Sequence, residues 1–219
     1  MKQVLFIAAL LFNAAAFSQS EKYIKTMQET IAVFDTTRGV DGMRELANKF
    51  ERIGDAEKAQ WLPYYYAALA SVNMGYGLSG GQMGVNADKI DPLADKAEQL
   101  INKADELSKN NSEIYVVKKM IATLRLMVDP MNRYMKYGPE AAQYLETAKK
   151  LNPENPRVYY LEGQDKFYTP EQFGGSKTEA VKLFEQALKK FDVFKPESSI
   201  HPSWGKRMTE YFLQEAQNK

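Results

Sequence analysis

Few residues of this 219-residue chain have the type and spacing to do chemistry, and each has a plainer role. Phe173-Gly174-Gly175-Ser176-Lys177-Thr178 invites comparison with a phosphate-cradling loop. Such a loop needs glycine immediately before the lysine and another five residues earlier, after a strand. Ser176 and Glu171 stand in those two places, and a helical pattern precedes them. A glycine turn followed by a helix cap is the reading these residues support. His201 and Ser203 are two residues apart, too close to share a triad with any evident acid. With one histidine and no cysteine, a thiol nucleophile, a cysteine metal site, a multi-histidine zinc site and a two-histidine iron site within one chain are excluded. No catalytic constellation stands out. The expectation is therefore a protein that is not an enzyme, with no catalytic residues, no cofactor and no metal.

The start of the chain reads as an address. Lys2 precedes an apolar run from Val4 to Phe12, and Ala16 and Ser18 occupy the small positions before a cut. Residues 1–18 are expected to be a cleaved signal peptide, because nine apolar residues are too few to span a bilayer. Their removal takes away Lys2 and leaves 28 basic against 28 acidic residues. A neutral chain with no long basic run lacks the electrostatic footprint of a nucleic-acid binder. No later segment is long and apolar enough to anchor it across a membrane, and without cysteine there is no site for a lipid anchor after the cut. The expected location is the periplasm, with full secretion as the alternative. Residues 19–219 are long enough for a single domain with its own core.

Helical period dominates that domain. Tyr23, Met27, Ile31 and Phe34 make one stripe, and Val40, Met43, Leu46, Ala47, Phe50 and Ile53 make another. Leu93, Ala97, Leu100, Ile101, Ala104 and Leu107 continue the pattern, followed by Ile114, Val117, Ile121, Leu124 and Val128. No stretch alternates with period two, so little or no sheet is expected. Asp91-Pro92 and Asn155-Pro156 each place a capping side chain before proline at the first helical position, and Pro139 can open a helix after Gly138. Ser176 and Glu179 form a capping box. These signals predict helices near 21–36, 39–53, 58–74, 91–109, 112–128, 139–151, 156–168, 177–192 and 203–217. They leave long connections over 75–90 and 129–138, of the kind that often carries function. The first holds Gly75, Gly77, Gly80, Gly81 and Gly84, and reads as a mobile connection. Its Met74, Leu78, Met83 and Val85 make it less polar than a plain linker.

One spacing recurs. Ala97, Ile101 and Ala104 are four and then three residues apart, as are Ala141, Leu145 and Ala148, and again Ala180, Phe184 and Ala187. After Ala148 come Leu151-Asn152-Pro153 and a helix with Tyr159 and Gly163. This unit resembles a tetratricopeptide repeat: second helix, proline turn, then the aromatic and glycine of the next first helix. The resemblance implies an all-α superhelix of stacked antiparallel helix pairs, with about eight to nine helices. Three degenerate repeats would span 58–192, with 19–57 and 203–217 closing its ends. It also implies that the first helix of each pair lines a concave face. Tyr64, Tyr65, Tyr160, Gln164, Phe167 and Tyr168 are the candidate binding residues there. Three consecutive tyrosines, Tyr64 to Tyr66, turn through about 200°, so at least one should lie outside the core seam. The function expected from this resemblance is a scaffold in the cell envelope that binds a partner protein or peptide. A glycan- or small-ligand-binding protein is the alternative.

Overall fold

The computed structural model describes residues 20–84 and 86–218. The signal peptide expected over 1–18 lies outside them. Among the described residues there are nine α-helices and no strand. They are α1 (Glu21–Thr36), α2 (Val40–Glu57), α3 (Trp61–Ser79), α4 (Ala87–Leu107), α5 (Ser112–Val128), α6 (Pro130–Leu151), α7 (Pro156–Tyr168), α8 (Lys177–Val193) and α9 (Lys206–Asn218). No helix among the described residues is long and apolar enough to cross a membrane.

Consecutive helices pack antiparallel. Tyr64 at the start of α3 meets Gly54 and Lys103 at the ends of α2 and α4, and Lys118 of α5 bonds Asp105 of α4. Helices two apart run parallel. In α3 and α5, Tyr65 reaches Glu113 and Tyr76 reaches Met120, while in α5 and α7 Glu113 meets Arg157 and Lys119 meets Asp165. Three helix pairs, α3–α4, α5–α6 and α7–α8, thus stack with their first helices side by side. Ala97, Ile101, Ala104, Ala148, Ala180, Phe184 and Ala187 are all buried at the contacts. Small residues are needed there because helix axes approach closely. A Cβ on Gly163 of α7 would lie 2.5 Å from Phe184 Cε1 of α8. That ring is fully buried and cannot yield, so Gly163→Ala is expected to cost about 1–3 kcal/mol, read as a lower denaturant midpoint. An unchanged midpoint would mean the pair is looser than described.

Caps explain most boundaries and two differences from the sequence reading. Asn155 Oδ1 accepts from Arg157 N at 3.0 Å, and Ser176 Oγ accepts from Glu179 N at 3.2 Å, as their cap roles require. The Glu179 carboxylate does not reach back to complete the box, however; it pairs with Lys166 at 2.7 Å. The segment Phe173–Ser176 is a turn and cap, with Gly174 at φ +92° and Gly175 close against the Thr169 carbonyl. Helix α4 starts at Ala87 behind Asn86, whose Oδ1 accepts from Asp88 N. That frees Asp91 from capping, and it accepts both guanidinium nitrogens of Arg133 at 2.7 and 2.8 Å. Residues 130–138, expected as a loop, form the first turns of α6. Asp129-Pro130 is itself a cap followed by proline at the first position: Asp129 Oδ1 accepts from Asn132 N. Pro139 then lies within the helix.

Tyr64, Tyr65 and Tyr66 are all buried. Helix α3 is covered by α2, α4 and α5 and by the connection between α8 and α9, so it has no solvated face in its first turns.

Candidate functional site

The two ends of the stack differ. At the end where α3, α5 and α7 begin, the connection from Phe194 to Gly205 lies across the helix starts. Ile200 is buried in the core. Its carbonyl accepts from Tyr66 Oη at 3.2 Å, Pro202 O accepts from Arg157 Nη2 at 2.7 Å, and Trp204 Nε1 donates to Tyr65 Oη at 2.8 Å. Gln28 of α1 reaches Ser199 at 2.7 Å, so the first helix also holds this strap. Arg157 is the hub, with 0% of its side chain exposed. It donates to Glu113 Oε1 at 3.0 Å, and its guanidinium lies 5.0–5.8 Å from the ring centres of Phe191, Phe194 and Trp204. Burial pushes the Glu113 carboxyl above its usual range, and the Arg157 charge pulls against that. His201 belongs to this sealed end: its ring packs on Trp61 and its Nδ1 meets Ser198 Oγ at 2.8 Å. Both tryptophans are here too.

The other end, where α3, α5 and α7 finish, is open and apolar. Helix α6 begins there, one residue after α5. Its first turns present Met131 (90% exposed), Tyr134 (58%) and Met135 (83%) on one face. Offsets of three and four residues put them side by side on the helix. Leu78 and Met83 are also exposed, on the end of α3 and the loop after it. Gly84 N–H donates to Met127 O at 2.9 Å, which ties that loop to the α5–α6 corner. The opposite flank of the same α6 turns carries Arg133, Lys136 and Tyr137, facing Arg125 of α5 and Asp91 and Asp95 of α4. Methionine is flexible and polarisable, and exposed groups of it suit large apolar ligands. An apolar face this exposed on one element of a folded chain marks an interaction site more often than chance.

The residues expected to bind do not form one surface. Tyr64 and Tyr65 lie at the sealed end, where Tyr64 donates to Asp55 at 3.0 Å and Tyr65 joins the hub. The other four are on α7. Tyr160, Phe167 and Tyr168 gather with Tyr211 around Phe212 of α9, with ring centres 5.1–6.1 Å apart. Tyr160 is buried, Gln164 and Phe167 are partly buried, and Tyr168 and Tyr211 are half-exposed. This is a second candidate surface, at the side of the array that α9 covers. Sequence reasoning passed over Met131, Tyr134 and Met135 because 129–138 read as a loop. Their spacing was the available signal.

A search of family models finds no match, and neither does a search of curated proteins. Among solved structures, the HusA haemophore from Porphyromonas gingivalis superimposes with a TM-score of 0.80 at 30% identity, covering 92% of this chain and 96% of that one. The chain belongs to the HusA haemophore family. The relationship corrects one expectation. A protein or peptide partner with no metal was anticipated, whereas a haemophore takes a small, iron-bearing ligand. The error has a physical source: stacked helix pairs offer similar apolar surfaces to a peptide and to a flat macrocycle, and the repeat spacing does not distinguish them.

Proposed function

We propose that this protein is an exported, non-enzymatic carrier that binds haem or a closely related tetrapyrrole at the open end of its helical stack. Kinship with the HusA haemophore over nearly the whole chain carries this reading. The shape of the open end supports it. Haem is an apolar plane with carboxylates on one edge. Met131, Tyr134 and Met135 offer apolar contact, and Leu78 and Met83 are exposed at the same end. The donor set there is thioether and phenol. His201 is at the sealed end, fixed by Ser198 and Trp61. Burial also holds its pKa below the usual imidazole value. His201→Ala is accordingly expected to leave haem affinity unchanged within about twofold, a difference below 0.5 kcal/mol. Loss of binding in that variant would move the site to the sealed end.

The α7–α9 aromatic surface supports a second placement of the same ligand, because Tyr168 and Tyr211 flank Phe212 with their rings half-exposed. A titration of the protein with haem, followed by absorbance in the Soret region, tests the function. Saturable binding at about one haem per chain is expected. No spectral change at micromolar protein would overturn it. Repeating the titration with Tyr168→Ala/Tyr211→Ala tests the second placement: the open-end site predicts no change.

A further inference from the structure

Met131, Tyr134 and Met135 form one face only while residues 130–138 are helical, because only a helix brings offsets of three and four residues together. The segment does little to hold itself in that state. None of residues 130–138 is buried, and the buried side chains of α6 (Ala141, Leu145 and Ala148) all follow Pro139. Pro139 has no N–H to offer the Met135 carbonyl, and its ring crowds that group. Residues 130–138 are thus uncoupled from the packed part of α6, and a helix shorter than about 12 residues is marginal on its own in water. Its ties to the stack are on the far side. Arg133 is two residues from both Met131 and Met135, about 200° round the helix, so it points away from the apolar face. Its Nη1 donates to Asp91 Oδ1 at 2.7 Å and its Nη2 to Asp91 Oδ2 at 2.8 Å, and Nη1 also donates to the Arg125 carbonyl at 3.3 Å. The Tyr137 ring adds a contact 5.8 Å from the Arg125 guanidinium. A two-pronged guanidinium–carboxylate bond fixes orientation as well as distance. Asp91 is a firm anchor, because its neighbours Ile90 and Ala94 on α4 are buried in the core.

We propose that Arg133 and Asp91 are positioning residues for the ligand: their bond keeps residues 130–138 helical and so assembles the apolar face on which the ligand lies. This rests on the open-end placement of the ligand. Neither residue touches the ligand, since both lie behind the helix that presents Met131 and Met135. Breaking the bond removes the face without removing any apolar group from it.

The test is a double-mutant cycle of Asp91→Ala, Arg133→Met and the two together, read by haem titration, amide hydrogen exchange and denaturant melts. Each single variant is expected to weaken haem about three- to tenfold. The double variant should lose no more than the worse of the two singles, because both changes break one bond. Without haem, exchange over 130–138 should speed up at least tenfold in each variant while 141–151 keeps the parent's rates. The denaturant midpoint should stay close to the parent's, because the segment buries no apolar side chain. Haem affinity within twofold of the parent in both single variants would overturn the clamp while leaving the carrier function standing. So would losses that simply add in the double variant, or faster exchange that spreads through 141–151 with a lowered midpoint, which marks a role in the fold at large. Failure of the parent protein to bind haem would overturn the function itself, and the positioning role with it.

Discussion

Arg157→Met is expected to destabilise the protein by about 3–5 kcal/mol at neutral pH, the usual result of removing one partner from a buried ion pair. The variant loses more than the Glu113 contact. It also drops the Pro202 carbonyl, which fixes the strap, and the charge that faces Phe191, Phe194 and Trp204. Its pH dependence gives the assignment a sign. Glu113 already has a raised pKa, with burial as the main cause and Arg157 as the main opposing influence. Removing Arg157 raises it further. An acid with a raised folded pKa contributes stability below its unfolded pKa, and that contribution is lost as pH rises through the folded value. The deficit of Arg157→Met relative to the parent should therefore shrink as pH falls from neutrality toward about 4, the ordinary glutamic acid range. Glu113→Gln/Arg157→Met, which has no carboxyl to titrate, should not show that recovery. Denaturant melts of the three proteins across this pH range check it. A pH-independent deficit would mean that Glu113 does not depend on Arg157.

Changing Met131 and Met135 together to Ser is the second large effect. Both side chains are almost fully exposed, so stability should stay within about 0.5 kcal/mol. Haem affinity should fall at least tenfold. Burying a large apolar side chain is worth about 1.5–3 kcal/mol, and even half of that from two residues exceeds the 1.4 kcal/mol of a tenfold change. The pairing of an unchanged melt with a lost ligand separates a binding face from a structural one. Unchanged affinity would shift the site to the Tyr168–Tyr211 surface.

Much of the architecture is legible in the residues because each helix buries one stripe. The alanine spacing marks the helix-pair contacts, and the Asn155-Pro156 and Ser176 caps mark where α7 and α8 begin. What escapes the sequence has specific causes. The first turns of α6 carry their large apolar side chains outward, so no buried stripe announces a helix there, and Gly138-Pro139 offers a rival start. The hub joins Tyr65, Glu113, Arg157 and Trp204, and the Trp204–Tyr65 bond spans a sequence separation of 139. No local pattern carries such a link. For the same reason at least one of Tyr64 to Tyr66 is expected outside the core seam although all three are buried: the strap that covers this end of α3 comes from the far end of the chain. Asp91 is the clearest instance of a residue whose local signal misleads. Before proline it looks like a cap, yet its carboxylate belongs to Arg133 and is held below its usual pKa by that contact.

On the proposed reading, the end of the stack where α3, α5 and α7 finish takes the ligand, while the end where they begin is closed by the protein's own chain. Amide hydrogen exchange with and without haem tests this most directly. Added protection confined to residues 78–86 and 130–138 is the result predicted. Protection at 61–66, 155–157 and 198–204, with 130–138 unchanged, would contradict it.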